Sequence, residues 1–423
     1  MQLSHNKKVF ILLFATLIVR VLTVFIIGKT PCMDPNYLAQ ANHIINSVGK
    51  VDIYITPSYG FLLYFINIFT KSLFLSSSII YIFFSFGISL MAYFVAKELF
   101  NEKTGIVALI LLLFFPCITV AVAGYSHTSI VSSFFILLSI YTLVKFTLSK
   151  TGFVYSALLF SFSTIIGTYI RPESAFILLI LALMIFWRNG LPLKQKVYFL
   201  LLSYFLVISG VFLHGAFIKN RSSSPYASTF SDAKYIYITY VCVFSDMRSM
   251  YNGTSAKANT SNGSASSDSV SLALSTEAFG TPESNNWSIR NAIMKNPKVA
   301  LVHCFYILKQ CLFYFGHPLF CPVYMYFVAG IGLYFLFRQK QIFTTAFLAL
   351  MFFISLIPLL FAHAEIRYLM NCVYPVIFMA AVGIAQFESK KATSALIISV
   401  SAANFIIYLM YLVNNARLGS LCG

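Results

Sequence analysis

The feature that most constrains this chain is repetition. Apolar runs of about 20 residues, each long enough as a helix to cross a bilayer, recur between short charged turns from Val9 to Val413. A water-soluble domain has no use for so many of them, whereas a bilayer requires each spanning segment to satisfy its own backbone, as a helix does. Composition agrees: 59% of residues are hydrophobic and 17% aromatic, only 10% are charged, and mean hydropathy is +0.83. The fold class is therefore an all-α polytopic membrane protein. Spans are predicted at residues 9–28, 77–96, 106–123, 130–146, 153–169, 174–187, 197–218, 321–337, 342–361, 369–387 and 395–413, about eleven in all. The first is too long for a signal-peptide core and lacks a small-residue cleavage site, so it is read as a retained helix.

Two further apolar stretches are read as interfacial helices. Residues 57–69, in the first outer loop (29–76), are short and begin at a proline. Residues 299–315 would, as a span, invert the loop charges that follow. Between the two membrane modules, 1–218 and 299–423, lies a polar Ser/Asn/Gly-rich insertion at 219–298. It is read as extracytoplasmic, and Asn220, Asn252, Asn259, Asn262 and Asn286 each open an N-x-Ser/Thr sequon in or near it.

The net charge of +17 divides by side. With the N-terminus cytoplasmic, the inner turns collect Lys7, Lys8, Lys97, Lys103, Lys145, Lys150, Arg188, Lys194, Lys196, Arg338, Lys340, Lys390 and Lys391. Short outer turns hold only Lys29, Lys50, Lys71, Arg171, Arg367 and Arg417. That asymmetry is the positive-inside pattern, so the charge calls for no nucleic-acid partner; membrane lipids account for it. The cysteines show no metal-type spacing, and Cys32 and Cys321 are left open as an outer disulfide pair.

Chemistry-bearing residues gather on the outer side: Asp34, Asp52, Tyr59, His127, Arg171, Glu173, His317, His363, Glu365 and Arg367. A single turn carboxylate or histidine is ordinarily just solvated. It is their collection at one mouth of a bundle that points to a site or pathway. Arg20 differs, because it lies inside the first span, where a cation is costly unless paired or lining a cavity. No Walker lysine loop, His-Glu-x-x-His or Gly-x-Ser-x-Gly is present. The pair His363-x-Glu365 is too sparse to predict a metal site, and no cofactor is expected.

Arg20, Asp34-x-x-Tyr37 and Pro57-x-Tyr59 ahead of an interfacial helix resemble the start of the GT-C class of membrane glycosyltransferases, in particular the protein O-mannosyltransferase and aminoarabinose-transferase group. Ala96-Lys97-x-Leu99-Phe100 with Gly105 and Pro116, Arg171-Pro172, and Arg367-Tyr368 with Pro375 are similar too. The resemblance implies a transferase that takes a sugar from a polyprenyl-phosphate donor at the outer face of a plasma, inner or endoplasmic-reticulum membrane. It implies Asp34 as general base. At Ser126-His127-Thr128, where relatives often carry a second acid, this chain has none, which leaves Glu173 or Glu365 for that role. Arg20, Tyr37, Tyr59, His127, Arg171, His363, Arg367 and Tyr368 are the expected substrate-binding residues. The residue chemistry fits independently: a carboxylate takes the acceptor's proton, and arginines neutralise the departing phosphate. A polysaccharide polymerase or ligase, or a flippase of lipid-linked glycans, is the competing expectation.

Overall fold

The computed structural model describes residues 5–28, 30–31, 34–51, 53, 57–121, 127–187, 191–222, 227–228, 231–232, 279–281, 283–285, 289–318, 320–360, 369–387 and 389–418. The N-terminal half contains α1 (His5–Ile27), α2 (Asp34–Asn46), α3 (Ser58–Thr70), α4 (Leu73–Leu99), α5 (Glu102–Leu113), α6 (Thr128–Thr147), α7 (Phe153–Ile170), α8 (Ile177–Trp187) and α9 (Leu193–Arg221). The C-terminal half contains α10 (Ile289–Lys295), α11 (Pro297–Phe315), α12 (Val323–Arg338), α13 (Ile342–Leu360), α14 (Met370–Ala385) and α15 (Lys390–Leu418). The described strands are two-residue pieces, Ala227–Ser228 paired antiparallel with Ser231–Asp232.

The molecule is an all-helical membrane protein. Among the described residues, six helices are long and apolar enough to cross a bilayer: α1, α4, α6, α7, α9 and α15. The other five expected spans coincide with shorter helices. Residues 106–123 fall on the 12-residue α5 and a π-helical turn at Cys117–Ala121. Residues 174–187 fall on a 3-10 turn, Pro172–Phe176, and the 11-residue α8. The remaining three lie on α12, α13 and α14. The two stretches expected to be interfacial are helical: residues 57–69 fall on α3 and 299–315 on α11.

The stretch after α1 looks in sequence like a loop, yet Asp34–Asn46 is helical. Asp34-Pro35 is a helix start: an acid at the positive end of the backbone dipole, and a proline where no N–H is needed. Arg221, the last residue of α9, secures the other end of α2. Its Nη2 donates to the Ile44 carbonyl and, at 2.9 Å, to that of Ser47, and its own carbonyl accepts from Val51 N at 2.8 Å. A cation on the last carbonyls of a helix meets both their hydrogen-bond need and the negative end of the dipole. Ile44, Val51, Ile53 and Ile218 close over this joint.

Packing inside the bundle follows membrane rules, with small residues and interhelical hydrogen bonds rather than hydrophobic exclusion. Helices α12 and α14 meet through Gly332 and Gly383. A Cβ on Gly332 would lie 1.8 Å from the Met379 carbonyl oxygen, and one on Gly383 would lie 2.6 Å from that of Val328. Ser139 Oγ lies 3.2 Å from Thr164 Oγ1 between α6 and α7, and Ser133 Oγ donates to Asn371 Oδ1 at 2.7 Å between α6 and α14. Large apolar side chains such as Phe10, Phe14 and Phe25 of α1 and Phe205, Phe212 and Leu213 of α9 face outward, as lipid contact requires.

The two ends of the α4–α6 unit differ. At one, Glu98 pairs with Lys145 at 3.0 Å and Lys150 at 2.5 Å, and Lys97 pairs with Glu102 at 3.5 Å. At the other, α5 stops early and His127 caps the start of α6. Cys321 carries a buried free thiol; Cys32, its possible partner in sequence, lies outside the described residues.

Candidate active site

Asp34 opens α2 and is fully buried. Its Oδ2 accepts a hydrogen bond from the Tyr59 hydroxyl at 2.9 Å. Tyr59 sits in the first turn of α3, itself fully buried. The closeness of α2 and α3 depends on Gly60, where a Cβ would meet the Tyr37 carbonyl oxygen at 2.4 Å. Tyr37 closes the corner, its ring edge-on to Tyr59 with centroids 5.0 Å apart. His127, at the N-cap of α6, brings Nδ1 to 3.8 Å from Asp34 Oδ2 with 2% of its surface exposed. The sequence thus joins four of its expected site residues, Asp34, Tyr37, Tyr59 and His127, across three helices.

Burial pushes the Asp34 carboxyl up to about 7. The Tyr59 hydrogen bond and the Ser77 hydroxyl, which interacts from outside hydrogen-bond geometry, favour the charged form and oppose this, but desolvation outweighs them. The same burial, with the adjacent carboxylate, holds the Tyr59 phenol well above its ordinary value, so Tyr59 stays a donor. Among the described residues, Asp34 Oδ1 has no hydrogen-bond partner. A carboxylate poised near neutrality, with one oxygen held and the other available, has the form of a general base.

Beneath this corner the track continues inward. The His127 ring lies 5.3 Å from that of Tyr81 on α4, and the Tyr81 hydroxyl donates at 2.9 Å to the Thr119 carbonyl in the π-helical turn. Pro116 explains the irregularity here. Having no N–H, it leaves the Leu112 carbonyl without its helical partner. Arg20 adds a side-chain donor, with Nη2 at 2.9 Å from that oxygen, beside the longer Phe115 N–H contact at 3.4 Å, while Asn404 Nδ2 reaches the Leu111 carbonyl at 3.4 Å. Sequence reasoning selected Arg20 but missed Tyr81. Nothing but tertiary position distinguishes that residue among 26 tyrosines.

Arg171 caps α7 and is 7% exposed. Its Nη1 donates to Ser129 Oγ in the first turn of α6, so it reaches the same turn that His127 begins. Glu173 lies on the adjoining 3-10 turn. His363, Glu365, Arg367 and Tyr368, together with Asp52, lie outside the described residues. Among the described residues, no group of three or more His, Cys, Asp or Glu side chains is placed to hold a metal ion.

A domain family of unknown function, DUF6311, matches residues 56–236, less than half of the chain. No curated protein matches in sequence. Among solved structures, the oligosaccharyltransferase AglB of the archaeon Archaeoglobus fulgidus, in complex with an inhibitory peptide and a dolichol-phosphate, superposes over 95% of this chain with TM-score 0.57 and 12% identity. The apo form of the A. fulgidus oligosaccharyltransferase covers 97% at TM-score 0.56 and 11% identity. Its complex with Zn and sulfate covers 95% at 0.57 and 12%. The chain has a GT-C-like fold. It spans about half the length of these enzymes, 56%, 56% and 53% respectively.

Proposed function

We propose that the protein is a membrane glycosyltransferase that moves a sugar from a polyprenyl-phosphate-linked donor to an acceptor at the extracytoplasmic face. The observation that carries this reading is the Asp34 carboxylate: buried at a helix start, held on one oxygen by Tyr59 and unpaired on the other. It stands in a fold shared with oligosaccharyltransferases. In this reading Asp34 Oδ1 accepts the proton of the acceptor hydroxyl or amine as that group attacks the anomeric carbon. Tyr59 orients the carboxylate, and His127 beside it biases the charge. Arg171, with Arg367 and Tyr368 from the later motif, neutralises the departing phosphate. Glu173 or Glu365 supplies the further acid, and Tyr37 and His363 contact the sugar or acceptor.

The membrane arrangement belongs to the proposal: a cytoplasmic N-terminus, about eleven crossings counting the shorter apolar helices, and the Asp34 corner outside. Arginines rather than a resident divalent ion meet the phosphate, so a chelator is expected to leave turnover intact. The test is direct. Purified protein in lipid nanodiscs is given a short-chain polyprenyl-phosphate sugar, and release of the prenyl phosphate with and without candidate acceptors is followed by mass spectrometry. Release by the wild type and its loss in Asp34→Asn is the expected result. Equal release by both proteins would remove Asp34 as base.

A further inference from the structure

Helix α9 faces lipid with Phe205, Phe212 and Leu213, yet it turns His214 inward, where the ring is buried. An ionisable side chain about 10 Å short of the end of a spanning helix is costly unless a partner holds it, and such residues are ordinarily there for a function. The partners of His214 lie on two other helices. Its Nε2 is 3.0 Å from the Ser58 hydroxyl oxygen of α3. Tyr169 of α7 stacks on one ring face, with centroids 4.0 Å apart and planes 14° apart. The Tyr169 hydroxyl donates at 2.6 Å to the Gly210 carbonyl, one turn before His214. Gly210 admits α7 this closely, since a Cβ there would lie 2.8 Å from Ile165. Among the described residues, His214 Nδ1 has no hydrogen-bond partner. The ring is thus held in one orientation with its hydrogen bond directed at Ser58.

Ser58 is where α3 begins, and that start lacks the usual fastening. The N-cap position is Pro57, which makes no side-chain cap, although a capping side chain is the common means of fixing a first helical turn. The hydrogen bond from α9 pins this turn by the Ser58 side chain instead. The next residue is Tyr59, whose hydroxyl holds Asp34 Oδ2. Successive residues of a helix point in different directions, so His214 grips the turn from another side than the carboxylate. About two turns further along α9, Arg221 grips the end of α2. One helix therefore holds the α2–α3 pair at two places: the end of the helix that carries Asp34 and the start of the helix that carries Tyr59.

We infer that His214 is a positioning residue of the Asp34 site: through Ser58 it fixes the first turn of α3, so that the Tyr59 hydroxyl stays on the carboxylate. The site is a catalytic one only on the glycosyl-transfer reading, on which this inference rests, but the positioning is read without turnover, from the protonation of Asp34. The titratable groups around that carboxyl are Tyr59 of α3, His127 of α6 and, behind Tyr59, Tyr37 of its own helix, with the Ser77 hydroxyl of α4 beside it. Full-length protein in nanodiscs is titrated from about pH 5 to about pH 9 and followed by infrared difference spectroscopy, the Asp34 band being the one lost in Asp34→Asn. Thermal unfolding of each variant is measured alongside.

His214→Phe keeps the stack on Tyr169 but not the hydrogen bond, and Ser58→Ala removes the other partner. A loosened Tyr59 contact favours the neutral acid, so both should raise the Asp34 midpoint by about half a unit to one unit. That is the direction expected of Tyr59→Phe, and in a Tyr59→Phe background neither should raise it further. Ser58→Ala carries the test if His214→Phe does not fold. An unmoved midpoint in the folded variants, whatever their melting temperatures, would overturn the inference and leave His214 a packing residue. The same rise in the absence of the Tyr59 hydroxyl would overturn the route through Tyr59. A Tyr59-dependent rise with no sugar transfer by the wild type would sustain the positioning while sinking the enzymatic reading.

Discussion

In the proposed transfer, with Asp34 as base, the raised carboxyl is expected to make activity and stability depend on pH in opposite directions. Taking the group from 3.8 to about 7 disfavours its ionised form by about 4 kcal/mol relative to the neutral acid. For catalysis the ionised form is the useful one. At pH 6 only about one carboxylate in ten is charged, so kcat/KM should rise roughly tenfold per pH unit up to about pH 7 and then level off. For stability the sign reverses. The folded state holds this proton more tightly than the unfolded chain, so the contribution of the neutral acid is complete below about pH 3.8 and is lost as pH rises through about 7. The assays are initial rates of prenyl-phosphate release, and thermal unfolding in nanodiscs, both run from about pH 5 to about pH 9 on wild type and Asp34→Asn. The asparagine variant should lose about two to four powers of ten in rate, and its melting profile should be flatter across the window from 3.8 to about 7. A wild-type rate that is level through this range, with Asp34→Asn inactive, would refute the raised carboxyl as the titrating base.

Tyr59→Phe removes the hydrogen bond that favours the carboxylate, one worth about 1.5–3 kcal/mol to a charged acceptor; the pH–rate midpoint should move up by about one to two units, and an unmoved midpoint would count against the contact. Gly60→Ala places a methyl group against the Tyr37 carbonyl, so it should destabilise by about 1–3 kcal/mol and slow transfer, measured as a lowered unfolding midpoint with reduced turnover. Arg171→Lys should be poorly tolerated, because a point charge cannot reproduce a forked contact; a wild-type KM for the donor would make Arg171 a structural cap of the α6–α7 corner. For topology, a single cysteine at Ser266 should label from outside and one at Gln339 only from the cytoplasmic side, and reversal at Gln339 would turn the whole arrangement over.

The long spans were legible because 20-residue apolar periodicity needs no tertiary knowledge: α1, α4, α6, α7, α9 and α15 all lie where the runs are. Asp34 was legible because acids are scarce in this chain, 12 in all, and one where the chain leaves the first span stands out; Tyr59 was legible through Pro57-x-Tyr59 ahead of an apolar stretch. Helix α2 was missed although Asp34-Pro35 announces it, since the polar residues that follow it, Asn36, Gln40, Asn42 and His43, resemble a loop by composition. The π-helical turn and its partners were not legible at all. Pro116 predicts that a carbonyl is freed, but not that Arg20, 92 positions away, takes it up. Tyr81 matters only through what faces it, His127 and the Thr119 carbonyl, and a sequence gives no sign of facing.

The clamp of Arg221 on the last carbonyls of α2 bears on how this protein can be cut. Helix α2 is 13 residues long, about 20 Å. It carries the carboxylate at one end and is gripped at the other by a side chain that composition alone would assign to the polar insertion beginning at 219. A fragment ended at residue 218 would keep Ile218 in the small apolar joint but lose both the guanidinium and the carbonyl that receives Val51 N. The carboxylate would then ride on a lever fixed only at its tip. Truncations made to isolate the first nine helices therefore have to run past Arg221 if the geometry around Asp34 is the thing being measured.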